Sequence, residues 1–261
     1  MMKLLILTLL LSSCAPEFSP WQDNVDNDKL TQKNLDLLKN KDRIIKGKAL
    51  GSIKIAIVGD PQVVFSGFEE AHFNINDEDV DFTVVVGDLT DRGLKHEWEL
   101  IKDTVNRFNE PIFTVVGNHD GLNKGDTIYK RMFGPLNYSF MYKGYKVVMW
   151  NNNKLEWGSP DFEWLDKETQ ADKVIVVSHQ PPYSGTMNDN EEERWRRIRQ
   201  GGAVIASVHG HMHHYNLHME DDVPIYTVER VENGHYGMLE IRHSGLEFFN
   251  CDDECYEASY E

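Results

Sequence analysis

Apolar residues in this chain gather in short runs that stop at a glycine followed by a polar side chain. Ile53-Lys54-Ile55-Ala56-Ile57-Val58 runs into Gly59-Asp60, and Phe82-Thr83-Val84-Val85-Val86 into Gly87-Asp88. Ile112-Phe113-Thr114-Val115-Val116 runs into Gly117-Asn118-His119-Asp120. Near-continuous runs of β-branched and aromatic residues bounded by turn residues predict strands covered on both faces. Helical segments fall between them, near Phe68–Phe73 and Leu94–Phe108, and this alternation predicts parallel pairing. Tyr138–Tyr142 and Tyr145–Trp150, joined through Lys143-Gly144, predict an antiparallel pair. Val174–Val177 and Ala203–Val208 predict two more buried strands, and Ile225–Val228, Tyr236–Ile241 and Leu246–Phe249 predict hairpin-like segments. No repeat or low-complexity run interrupts the pattern. The fold expected is one α/β domain, a two-sheet α/β/β/α sandwich with helices outside.

The first residues break that pattern. Lys3 precedes an apolar run from Leu4 to Leu11, then Ser12, Ser13 and Cys14. A basic start, a short apolar stretch and small residues predict an export signal over 1–13, too short for the ~20 residues that span a bilayer. Leu11-Ser12-Ser13-Cys14 resembles the lipobox of bacterial lipoproteins, which implies lipidation of Cys14 and anchoring to a membrane outside the cytoplasm. Ala15 follows, so the Asp that marks inner-membrane retention in those proteins is missing. Ser13-Cys14-Ala15 also fits a small-x-small cleavage site, which would release a soluble secreted protein. The polar segment with Pro16 and Pro20 suits a tether, and Leu30, Leu35, Leu37 and Leu38 among polar residues predict a weakly amphipathic helix over 29–41. The expected organisation is signal 1–13, tether and helix 14–50, main domain 51–250 and acidic tail 251–261. Cys251 and Cys255 read either as a staple of that tail or as free thiols.

Composition narrows the partners. The 261 residues hold 43 acidic and 27 basic side chains, a formal net charge of -16. Mean hydropathy is -0.51, against a multi-span membrane protein. Bulk attraction to nucleic acid or anionic lipid is not expected at this charge. An anionic substrate must be drawn in locally, by metal or arginine.

The strand ends carry the chemistry. In chain order they offer Asp60, Asp88, Asn118-His119, His179 and His211-x-His213. Ligand sites in open α/β sheets gather beyond the carboxyl ends of strands, so a metal site is expected there. Carboxylates with imidazoles and no thiolate suit manganese, iron or zinc, and a carboxylate shared by two ions makes a clamp about 3.5–4 Å wide.

Gly59-Asp60-x-Gln62, Gly87-Asp88-x-x-Asp91-Arg92-Gly93, Gly117-Asn118-His119-Asp120, His179 and Gly210-His211-x-His213 resemble, in order and spacing, the five motif blocks of calcineurin-like metallophosphoesterases. The resemblance runs from about Ile53 to Phe249. It implies two divalent ions, one held by Asp60 and His213, the other by Asn118, His179 and His211, with Asp88 bridging. It further implies hydrolysis of a phosphomonoester or phosphodiester by a metal-bridging hydroxide, with His119 as acid. Asp91 would orient the His119 imidazole and raise its pKa, and Arg92 would grip phosphate oxygens. Arg92 in its Asp-Arg-Gly setting inclines the reading toward monoesters. Gln62 stands where the family usually has His, an amide oxygen being a weaker ligand, so the first ion's identity and affinity are the least specified. Leu89 and Thr90 follow Asp88 where purple acid phosphatases place a Tyr, so no tyrosinate chromophore is implied.

Other polar residues have plainer readings. His209 is expected as a strand residue behind the site rather than a ligand, and His214, His218 and His243 as local hydrogen-bond partners. Glu192 with Arg196 and Glu193 with Arg197 have the spacing of an exposed helix face. Tyr183, after Pro181-Pro182, suits either a site mouth or a rigid turn. Trp150, Trp157, Phe162 and Trp164 read as core. A rival function is a non-catalytic lipoprotein that keeps the fold as a binding surface.

Overall fold

The computed structural model describes residue 19 and residues 21–45 and 52–261. The export signal and Cys14 lie outside the described residues, as does part of the tether. Among the described residues no helix is long and apolar enough to cross a membrane.

The alternating runs form two six-stranded sheets. The first contains β1 (Ile53–Val58), β2 (Phe82–Val86), β3 (Ile112–Val115), β10 (Tyr236–Arg242), β11 (Gly245–Cys251) and β12 (Cys255–Glu257), in the order β12-β11-β10-β1-β2-β3. The second contains β4 (Tyr138–Tyr142), β5 (Tyr145–Met149), β6 (Val174–Val177), β7 (Val204–His209), β8 (Asn216–Glu220) and β9 (Val223–Thr227), in the order β4-β5-β6-β7-β9-β8. β1, β2 and β3 run parallel, as do β5, β6, β7 and β9, so their carboxyl ends face the same end of each sheet.

Side-chain alternation sorts each strand between two cores. Ile53, Ile55 and Ile57 of β1 join Val84, Phe113, Val147, Ile175 and Val208 in the core between the sheets. Ala56 and Val58, on the opposite face, pack with Phe68, Trp98, Ile101 and Tyr129. These belong to α2 (Phe65–Asp77), α3 (Lys95–Val105) and α4 (Gly125–Met132). On the far side, Val148, Trp150 and Val176 pack with Phe162, Leu165, Trp195 and Ile198 of α5 (Phe162–Glu168) and α6 (Asp189–Gln200). The result is the α/β/β/α sandwich that both-face burial of the strands predicts. The N-terminal helix α1 (Leu30–Ile45) caps one end of the inter-sheet core with Leu38, while Asn34 Oδ1 accepts the Ile112 N–H at 2.9 Å.

Two strands lack a sequence signal. β8 is an edge strand whose outer positions stay polar, and β12 is only three residues long. The stretch 251–261 is therefore not simply an acidic tail. Cys251 pairs with Cys255 across β11 and β12 and is joined to it by a disulfide, and the Glu261 N–H donates to the Leu217 carbonyl of β8.

Candidate metal centre

The parallel strands of both sheets deliver their terminal residues to one place. Asp88, His179 and His211 form one group of ligand atoms within 4.8 Å of each other, and Asp60, Asp88 and His213 form a second. The groups share Asp88. Asp60, Asp88 and Asn118 come from the first sheet, and His179, His211 and His213 from the second.

Close approach of the loops requires glycine. A Cβ on Gly117 would sit 2.0 Å from Asp88 Oδ1. Gly87, at φ +91°, lies against the His179 ring, 2.6 Å from where a Cβ would stand to Nδ1. Four of the candidate ligands themselves adopt left-handed backbone: Asp60 at φ 46°, Asp88 at 49°, His211 at 71° and His213 at 57°. Asp and His tolerate this region better than most residues, yet it stores strain that the surrounding structure must hold. Here the holding bonds are visible. The His119 N–H donates to Asp88 Oδ1 at 2.9 Å, and the His211 N–H to Asp60 Oδ2 at 3.0 Å.

The donor set fits a cation. His179 Nδ1–H donates to the Val86 carbonyl at 2.8 Å, which leaves Nε2 as a lone pair. That lone pair faces Asn118 Oδ1 at 3.0 Å, His211 Nδ1 at 3.2 Å and an Asp88 carboxylate oxygen at 3.4 Å. With Nε2 bare, acceptors would converge on acceptors, and either a proton on Nε2 or a bound cation that displaces it resolves the arrangement. Burial alone would depress the His179 pKa; Asp88 and Asp60 outweigh it and lift it to about 9. Burial and the adjoining His179 lower His211 to about 4, which favours the neutral imidazole that ligates metals. Gln62 donates its amide N–H to Asp88 Oδ2 at 3.1 Å, while its Oε1 is buried without a partner. An orphaned oxygen beside two carboxylates has the chemistry of a ligand or a water acceptor.

His119 is placed differently from its expected geometry. Its Nδ1–H donates to the main-chain carbonyl of Asp91 at 2.8 Å, while the Asp91 carboxylate lies 3.6 Å away. Asp91 therefore orients the ring through its backbone, because the carbonyl already satisfies Nδ1. Its carboxylate pairs with Arg92 Nε at 3.3 Å, and Arg92 is 71% exposed. His119 keeps Nε2 for chemistry.

Asp120, the last residue of the Gly117-Asn118-His119-Asp120 block, has a structural role. It is fully buried and accepts the N–H groups of Leu89, Thr90 and Gly117 and the Thr90 hydroxyl. It clamps the β2 and β3 ends together. Burial first, and the charge of Asp88 second, raise its pKa to about 7 despite these donors. Asn152 pairs with both the N–H and the carbonyl of Gln180, beside His179, and Asn153 donates to the Val116 carbonyl at 2.7 Å. Arg230, after β9, donates from Nη2 to the Gln62 carbonyl at 2.9 Å.

The remaining expectations resolve simply. His209 is buried between Ser178 and Ser207 hydroxyls, its pKa lowered to about 3 by burial. In α6 Glu193 pairs with Arg197 as expected, while Arg196 goes to Glu193 rather than to Glu192. The Tyr183 hydroxyl bonds Thr227 Oγ1 at 2.8 Å. Trp157 is only partly buried, and its Nε1–H holds the Gly117 carbonyl at 3.0 Å.

Residues 53–215, more than half of the chain, match the family model described as calcineurin-like phosphoesterase. A probable glycerophosphodiester phosphodiesterase GpdQ of Arcobacter nitrofigilis is 37% identical over 214 residues, covering 72% of this chain and 76% of that protein. A probable cyclic nucleotide phosphodiesterase of Fibrobacter succinogenes is 24% identical over 145 residues, 51% of this chain, which spans only 57% of that relative. The solved structure of a dimetal phosphatase from Danio rerio shares the fold at a TM-score of 0.62, with 13% identity, over 80% of this chain and 99% of that one. The chain therefore belongs to the calcineurin-like phosphoesterase family.

Proposed function

We propose that this protein hydrolyses a phosphodiester with two divalent ions. The observation that carries the reading is the pair of ligand groups joined through Asp88. Asp60, Asp88, His213 and the Gln62 amide oxygen would hold one ion; Asp88, Asn118, His179 and His211 would hold the other. Carboxylates and imidazoles without thiolate favour manganese, iron or zinc. When bound, such ions supply Lewis acidity, lowering the pKa of water and neutralising phosphoryl charge.

The protein's own groups then do the positioning. The Val86 carbonyl holds the His179 ring with Nε2 toward Asn118 and Asp88, where it would hold an ion, and the Asp91 carbonyl engages Nδ1 of His119 in the same way. His119 Nε2 would hold a proton for the departing oxygen. A diester is favoured over a monoester because the two named relatives are probable phosphodiesterases, and because Arg92, the residue that inclined the sequence toward monoesters, is 71% exposed with its Nε on Asp91.

The metal-loaded protein should cleave bis-p-nitrophenyl phosphate when manganese is supplied. His119→Ala should lower kcat by about 10²–10⁴-fold with manganese binding intact, the range for a lost general acid. Full turnover in that variant would remove His119 from the mechanism. A lipid on Cys14 would hold the enzyme at an extracytoplasmic bacterial membrane. Cys14→Ala should then shift it to the soluble fraction, and persistent membrane association would defeat the anchor.

A further inference from the structure

Arg230 is conspicuous for what it lacks. The chain carries 43 carboxylate side chains, yet Arg230 makes no ion pair among the described residues. It uses one donor, Nη2, on the Gln62 carbonyl, and its Nε–H is buried with no acceptor. A guanidinium has five N–H donors in a planar fork, and leaving a charged donor buried and unmet is costly. Several arginines elsewhere are matched, Arg92 with Asp91, Arg199 with Glu220 and Asp221, and Arg242 with Glu240 and Glu247. Arg131 and Arg194, which also make no ion pair among the described residues, are exposed to solvent, whereas the Arg230 Nε–H is buried.

Its position is as specific as its lack of a partner. Gly59 and Arg230 form a parallel bridge between the ends of β1 and β9, and the Val231 N–H donates to the Gly59 carbonyl at 2.8 Å. Arg230 therefore stands where the two sheets meet at their carboxyl ends, beside the loop that carries Asp60 and Gln62. The Gln62 side chain continues from that same residue to Asp88. A cation here, partly buried and uncommitted, has the chemistry to receive an oxyanion presented by a ligand at the metal centre. In a chain of net charge -16, it would also supply local attraction that the overall field opposes.

We propose that Arg230 binds the anionic oxygens of the substrate's phosphate, the task the sequence pattern assigned to Arg92. This rests on the phosphoesterase reading. Arg92 is well exposed and already holds a carboxylate, whereas Arg230 adjoins the ligand-bearing loop with donors to spare.

The test uses the full chain loaded with manganese. Inorganic phosphate is titrated by calorimetry, and KM and kcat are measured on bis-p-nitrophenyl phosphate. Arg230→Gln should weaken phosphate binding and raise KM by about tenfold or more, the order of one charge-assisted contact. kcat should fall far less, and manganese affinity should not change. Arg230→Lys keeps the charge but loses the fork, so it should recover part of the phosphate affinity; it also carries the test if Arg230→Gln fails to fold. Unchanged phosphate affinity in a folded variant overturns the proposal. So does a matching loss of manganese affinity, which would make Arg230 a brace for the Gln62 loop. Failure of the unmodified protein to take up manganese or cleave the diester would instead sink the phosphoesterase reading, and this proposal with it.

Discussion

The two sheets contribute unlike halves to one centre. The first, through β1, β2 and β3, supplies oxygen: Asp60, Asp88, Asn118 and the Gln62 amide. The second, through β6 and β7, supplies nitrogen: His179, His211 and His213. Asp88 and His179 are almost wholly buried, whereas His213 is 39% exposed. Bonds across the seam fix the two halves: His179 to the Val86 carbonyl, the His211 N–H to Asp60, and Asn153 to the Val116 carbonyl. One side of the centre, around Asp88, Asn118 and His179, is pre-built. The other, around Asp60, Gln62 and His213, opens to solvent at His213. This difference predicts two classes of metal affinity in a titration of the metal-free protein, with the tighter ion on the Asp88, Asn118 and His179 side.

Breaking the shared residue should have the largest effect. Asp88→Asn removes the carboxylate common to both groups, so both ions should weaken and kcat should fall by about 10³-fold, the upper order for loss of one preorganised electrostatic group. Metal analysis showing two ions still bound at wild-type affinity would separate Asp88 from the centre. Next comes the stitching between the sheets. Asn153→Ala deletes the bond that holds the main chain two residues before Asn118, and partners of this kind are worth about 10–100-fold in metal affinity. The loss should fall on the tighter ion only. Equal weakening of both classes would show a general loosening of the fold instead.

Much of this was legible in the sequence, for a physical reason. Strands buried on both faces read as continuous apolar runs, and parallel strands must end together, so Asp60, Asp88, Asn118, His179 and His211 could be brought to one end before any contact was known. What did not read through depends on the third dimension. Asp91 acts through its carbonyl, and no side-chain spacing encodes a backbone acceptor. The left-handed φ of Asp60, Asp88, His211 and His213 leaves no trace in residue types that also suit ordinary turns. Arg230 lies outside every motif block, and what singles it out is a buried Nε–H with no acceptor and no ion pair among the described residues. β12 is three residues long and exists because β11 and a disulfide hold it.

The smallest effect, and the sharpest probe of the solvent-open side, is at Gln62. Its amide N–H is committed to Asp88 Oδ2, so the amide is oriented with its oxygen away from that bond, and this oxygen is buried and unpaired. An imidazole is a better ligand than an amide carbonyl for manganese, iron or zinc. Gln62→His should therefore tighten the weaker ion by a few-fold to roughly tenfold, lowering the metal concentration for half-maximal rate while leaving the tighter ion untouched. The gain is limited because the new side chain gives up the hydrogen bond to Asp88. Tightening confined to the weaker class would establish that the two halves differ in ligand quality as well as burial. An unchanged metal requirement would place Gln62 outside the coordination sphere, leaving Asp60 and His213 with the shared Asp88 as the whole of that side.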